Sequence, residues 1–169
     1  MKKILLLACL LGIGIVGFSQ KYAIIDTRYI LDKMPDYKTA QQQLDDIAAS
    51  WQKDIDGRQT ELDNMYKSYE AEQVMLSDDL KKKREDQLFN KEKDLRDLQR
   101  KRFGFEGDLF KKRQELVKPI QDKVYNAVQK MAQLRGYDFV LDKSEGITII
   151  FADPKLDKSE DVLKELGVR

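Results

Sequence analysis

From about Asp36 to Leu76 the apolar residues fall three or four positions apart. The series is Leu44, Ile47, Trp51, Ile55, Leu62, Met65, Tyr69 and Leu76, with Arg58 in one apolar slot. This spacing predicts a long helix carrying a heptad-like seam with polar interruptions. Ser77-Asp78-Asp79 breaks the pattern. Ser77 suits an N-cap, and the two aspartates favour the positive end of a new helix. A second seam runs Leu88, Leu95, Leu98, Arg102, Phe105, Leu109, Leu116, Ile120, Val124, Val128 and Met131. Arg135 followed by Gly136 is its natural stop. The period changes at the two ends of the chain. YAIIDT (22–27) reads as a strand, and Pro35 then punctuates and suits the first turn of the next element. YDFVLD (137–142) and ITIIFAD (147–153), joined by Lys143-Ser144-Glu145-Gly146, predict a two-stranded hairpin. Residues 158–166 predict a short amphipathic helix with Val162, Leu163 and Leu166 on its apolar face.

Charge adds orientation to this pattern. Residues 36–79 hold four basic and eleven acidic groups, whereas residues 81–118 hold fourteen basic and eight acidic ones. An acidic helix turning back into a basic one is charge-matched as an antiparallel hairpin. At 1.5 Å per residue each arm of about 40 residues spans about 60 Å, longer than a domain of this mass is wide. The hairpin is therefore expected to project. The remaining chain, about 65 residues, is small for one independent core, so a body that completes its core by oligomerising is expected. The predicted fold is mostly α with a small β body: a long antiparallel helical-hairpin (coiled-coil) arm over 36–118, its tip near 77–79, projecting from a β-rich oligomerisation body of 20–35 and 119–169. Ile24, Ile25, Phe139, Val140, Leu141, Ile147, Ile149 and Phe151 are the body's expected apolar residues.

Composition narrows the chemistry. Charged residues make up 36% of the 169-residue chain, yet the net charge is only +1, which argues against nucleic acid as a partner. The chain has no His, the commonest general base and metal ligand, and its one Cys is Cys9. Lys2 and Lys3, the apolar run from Ile4 to Phe18 and the small-x-small Gly17-Phe18-Ser19 predict a cleaved secretory signal peptide over 1–19. The run is short for a membrane span. Leu6-Leu7-Ala8-Cys9 resembles a lipoprotein processing box, but too little apolar chain precedes Cys9 to favour it. Cleavage leaves an exported mature chain without Cys. No cofactor, metal or catalytic group is expected: Asp26, Asp138, Asp142 and Asp153 flank strands, where carboxylates cap turns.

The order strand, long helix, turn, longer helix, strands and short helix behind a signal peptide resembles the Skp (OmpH-like) family of periplasmic chaperones. KYAIIDTRYIL near the start and GYDFVLDKSEGITIIFADPKLDKSEDVLKEL near the end carry the resemblance around a generic coiled middle. The resemblance implies a homotrimer whose β body carries three helical arms. Between them unfolded outer-membrane β-barrel proteins would be held without ATP. The near-neutral mature chain departs from the strongly basic members of the family, which weakens any carry-over of lipopolysaccharide binding.

Phe89, Phe103 and Phe110 are spaced 14 and 7 apart, each following a seam residue, and Tyr66 takes the matching slot on the first helix. A stripe beside the seam can widen the hairpin core or form a greasy wall for clients, and both uses suit a surface of Phe, Tyr and Met. The candidate client-binding residues are Met65, Tyr66, Tyr69, Phe89, Phe103, Phe105 and Phe110. Gly104, Gly107 and Pro119 are expected to soften a continuous helix and let the arm splay. Lys81-Lys82-Lys83-Arg84 at the tip reads as a solvated helix start, or as a weak contact for anionic lipid headgroups. Two function classes are open: an ATP-independent holdase, or an envelope tether whose arms pair with one partner coil. The tether would favour uninterrupted heptads, which Arg58, Arg102 and the glycines spoil.

Overall fold

The computed structural model describes residues 20–144, 146 and 148–168; the predicted signal peptide and Ile147 lie outside the described residues. In chain order the elements are β1 (Tyr22–Ile25), α1 (Thr27–Lys33), α2 (Pro35–Glu72), a 3-10 turn (Gln73–Met75), α3 (Asp78–Phe103), α4 (Asp108–Arg135), β2 (Phe139–Asp142), a 3-10 turn (Pro154–Leu156) and α5 (Ser159–Glu165). They form two units. One is Leu31–Lys123; the other joins the segment ending at Ile30 to the chain from Val124 onward.

The first unit is a helical hairpin. Pro35 opens α2 at its first turn, where a missing N–H costs nothing. At 38 residues α2 is about 57 Å long. The chain reverses through Gln73–Ser77 and returns as α3. Ile55 and Leu62 of α2 and Leu88 and Leu95 of α3 are buried together, with Met65, Tyr69 and Leu98 packed against them. Each buried aliphatic side chain contributes about 1.5–3 kcal/mol, so this thin seam is what holds the pair. Polar contacts between the helices follow antiparallel order. Arg84 reaches Glu72 at 3.5 Å and Lys91 reaches Glu61 at 2.9 Å. The Tyr69 hydroxyl donates to Glu85 at 2.5 Å and that of Tyr66 to Glu92 at 3.2 Å. These exposed pairs mark register more than they stabilise.

The structure corrects two features of the hairpin. Ser77 occupies the N-cap position of α3, but its side chain makes no capping bond; its backbone carbonyl accepts from the Lys81 N–H at 2.9 Å. The second helix is also not continuous. It stops at Phe103, and α4 begins at Asp108, so the heptad count does not carry from Phe103 to Phe110. Helix propensity predicts a soft spot there, whereas the backbone makes a full break. Pro119, by contrast, lies inside α4, which runs through it.

The second unit is built around a two-stranded sheet. β1 pairs with β2 in parallel, Ile24 opposite Leu141 and Ile25 opposite Asp142. This replaces the expected hairpin of 137–142 with 147–153. Parallel strands need a long crossover, and the entire helical hairpin supplies it. The reason lies in the residues after β2. Lys143 donates its N–H to the Ile25 carbonyl at 2.9 Å, and the Asp142 carboxylate accepts from the Thr27 N–H at 3.2 Å. Both groups are thus committed to the β1 side rather than to a tight turn. The opposite edge of β1 is taken by Lys158, whose N–H donates to the Ile24 carbonyl at 2.8 Å. Residues 148–153 form no strand, and Ile150 and Phe151 are 96% and 86% exposed. Ala23, Ile24, Ile25, Ile30, Val124, Met131, Val162 and Leu163 are buried in this unit. Helix α4 ends on Gly136 at φ 66°, with the Tyr137 N–H closing back on the Ala132 carbonyl at 3.0 Å.

Candidate functional site

The break between α3 and α4 is the most constructed part of the hairpin. Gly104 has an extended backbone (φ −68°, ψ 174°), and a Cβ there would lie 2.3 Å from the Arg100 carbonyl oxygen. At Gly107 a Cβ would meet the Lys101 and Gly104 carbonyl oxygens at 2.8 and 2.9 Å. Both glycines are therefore needed for close backbone approach rather than for softness. Between them Glu106 sits at φ 54°, in the left-handed region that non-glycine residues seldom enter. The Gly107 N–H donates to the Gly104 carbonyl at 2.9 Å, and the Gly107 carbonyl accepts the Lys111 N–H at 3.1 Å, which starts α4.

Side chains close over this turn. Arg102 donates to Asp108 at 2.7 Å, linking the end of α3 to the start of α4. The two side chains are only 29% and 25% exposed. The same guanidinium lies 4.4 Å from the centroid of the Trp51 ring on α2, and Phe103 meets that ring edge-on at 6.3 Å. The sequence signal for this cluster was Arg102 in an apolar slot on the helix facing Trp51. Its link to Asp108 could not be read from a helix assumed to be continuous.

The candidate client-binding residues divide into three sets. Met65 and Tyr69 pack against the hairpin core and are half-buried. Tyr66, Phe89, Phe103 and Phe110 are exposed, Phe89 most fully at 61%. Phe105 is not a seam residue. It stands in the break with 98% of its surface open. Among the expected oligomerisation residues, Ile24 and Ile25 are buried, Val140, Leu141 and Ile149 are half-buried, and Phe139 and Phe151 are exposed. At the tip Val74, Met75 and Leu80 are exposed beside the basic run, in which Lys81 is paired with Asp78 and Arg84 with Glu72.

The aspartates flanking the strands act as caps. Asp26 accepts from the Tyr29 N–H at 2.9 Å, Asp138 from that of Lys21 at 2.8 Å and Asp153 from that of Lys155 at 2.9 Å. Asp142 also accepts from the Thr27 hydroxyl and from the Ser144 N–H at 2.9 Å. Burial alone would raise its carboxyl, but the bonds from Thr27 and Ser144 outweigh burial and hold it below 3.8. Asp157 obeys the same logic, with burial opposed by Lys143 at 2.7 Å and by Ser159.

A thin helical hairpin edged with open aromatic rings, in one chain with a small parallel strand pair, defines a mostly helical protein of the coiled-coil hairpin class. The chain belongs to the family described as outer membrane protein (OmpH-like), whose model matches residues 21–166. It is 28% identical over 151 residues to the chaperone protein Skp of Yersinia enterocolitica, covering 86% of this chain and 85% of that one. It is 31% identical over 151 residues to an uncharacterized protein of Aquifex aeolicus (strain VF5), covering 89% and 88%. The crystal structure of a putative outer membrane chaperone (OmpH-like) from Caulobacter crescentus CB15 shares the fold. Its TM-score is 0.71 at 17% identity, covering 88% of this chain and 84% of that one.

Proposed function

We propose that this protein is an ATP-independent periplasmic holdase that keeps unfolded outer-membrane β-barrel proteins from aggregating on their way to the outer membrane. The observation that carries this reading is the row of open rings along the hairpin. Phe89 is exposed next to the thin core at Leu88, Phe105 in the break and Phe110 on the first turn of α4. Exposed apolar surface of this kind marks an interaction site, and rings that slide over one another accept many sequences. Many weak contacts of this sort need no nucleotide, and the client's own folding would drive release.

In this reading the chain works as a homotrimer, with residues from 20–35 and 119–169 forming the shared body and residues 36–118 the arm. Exposed Ile150 and Phe151 support such assembly, since apolar side chains so open in one chain gain from cover by another. The test is dilution of a urea-unfolded β-barrel protein into buffer with and without the chain, in the absence of nucleotide. Suppressed light scattering is the expected result. The combined variant F89S/F105S/F110S, which leaves Phe103 on Trp51, is expected to lose most of the suppression with its helical signal and oligomeric mass intact. Full suppression by that variant would remove the rings from the mechanism. Absence of suppression by the parent chain, together with one stoichiometric folded partner, would favour an envelope tether.

A further inference from the structure

We infer that Arg102 is a latch on a built-in joint of the hairpin, and that the face it covers, the Trp51 indole, is a further binding surface for apolar side chains of an extended polypeptide. Three independent features of the chain point to it. The joint is constructed rather than frayed, because Gly104 and Gly107 leave no room for a Cβ and Glu106 is held at φ 54°. A backbone in that state persists only where its surroundings impose it. The Arg102–Asp108 pair at 2.7 Å spans the break. Finally, the Arg102 guanidinium and the Phe103 ring lie on the indole of Trp51, at 4.4 and 6.3 Å.

One side chain, Arg102, thus both ties the two sides of the joint together and covers the indole. When Arg102 leaves, α4 loses its side-chain tie to α3 and the indole face under the guanidinium is uncovered, with Phe103 still at the ring. Phe105 is already bare in the break. Loss of a cation–π contact and a half-buried ion pair raises the open population on the order of fivefold. The use of the opened face by clients rests on the holdase reading; the latch itself does not.

Trp51 is the only tryptophan, so its fluorescence reports the latch directly. The experiment uses the full mature chain and the variants R102Q, D108N and K91Q, the last cutting the Lys91–Glu61 pair elsewhere on the same hairpin. R102Q is expected to increase acrylamide quenching of Trp51. D108N, which cuts only the ion pair, is expected to speed amide exchange at Gly107 and Lys111 about twofold to threefold. K91Q is expected to change neither. If R102Q loses its helical signal, D108N decides alone; the same exchange rates in D108N and K91Q would overturn the latch. A second arm adds a urea-unfolded β-barrel protein. A shift in Trp51 emission that needs less client in D108N than in the parent supports the binding face. Suppressed aggregation with unmoved Trp51 emission overturns it. Failure to suppress aggregation at all would instead sink the holdase reading, and the client-free latch result would stand.

Discussion

Replacing Gly104 with Ala separates two accounts of the hairpin with opposite signs. If the glycine merely weakened a continuous helix, Ala would stabilise the chain by about 0.5–1 kcal/mol and extend the helix through the break. The geometry argues the reverse. The Gly104 N–H bonds to the Arg100 carbonyl oxygen at 2.8 Å, and an added Cβ would lie 2.3 Å from that same oxygen. Arg100 belongs to α3 and its backbone cannot retreat without breaking the last turn. Forced overpacking of this kind costs about 1–3 kcal/mol, against a gain of about 0.4–1 from the stiffer unfolded chain. The net expectation is destabilisation by about 1–2 kcal/mol. Urea unfolding tracked by far-UV circular dichroism measures it, at fixed protein concentration because the proposed assembly would shift the midpoint. A lower midpoint at unchanged slope is the expected result. A higher midpoint with more helical signal would show that the break is an ordinary weak helix and that its tight approach has no energetic role.

Other outcomes rest on the same packing. Leu88→Ala, in the thin seam of the hairpin, is expected to cost about 2–3 kcal/mol in urea unfolding, at the low end for a buried Leu because the helices can close over the gap. Asp142 and Asp157 are held below the ordinary carboxylate value, so their contribution is complete above 3.8 and is lost as pH falls through their lower folded values. Acid titration of stability is therefore expected to steepen below about pH 4, and Asp142→Asn is expected to flatten it while removing about 1 kcal/mol at neutral pH. If the proposed trimer forms through these residues, Ile150→Asp with Phe151→Ser is expected to lower the mass by light scattering without loss of helical signal. An unchanged mass would remove these two residues from the proposed contact.

Much of the hairpin was legible because its signal is local. Ile55, Leu62, Leu88 and Leu95 recur at the seam spacing, and opposite net charges on the two helices gave their orientation. Gly136 and the apolar face of α5, Val162 and Leu163, were readable for the same reason. The parallel pairing of β1 with β2 was not, because an apolar run states that a strand exists and says nothing of its partner. The bonds that decide it, from Asp142 and Lys143 back to Thr27 and Ile25, join residues more than a hundred positions apart. Helix α1 was missed since its seven residues bury only Ile30, too little to show a period. The break was misjudged for a different reason. Propensity scores a glycine by the entropy it adds, whereas Gly104 and Gly107 are fixed by neighbouring carbonyls that no sequence window displays. The contrast between Met65 and Tyr69, drawn into the seam, and Phe89, left outside it, was likewise a matter of packing that heptad position alone could not resolve.

Between Leu62 and Leu88 no residue of the hairpin is buried, although the chain runs outward through a full reversal in that interval. Cohesion therefore tapers with distance from the joint, and thermal opening should travel inward from the turn like a zip. The outermost coils would then exchange their amide protons fastest and yield first to a protease. Such an end could deform around a bulky cargo while the inner rows keep their register, much as a fingertip gives before the knuckle does.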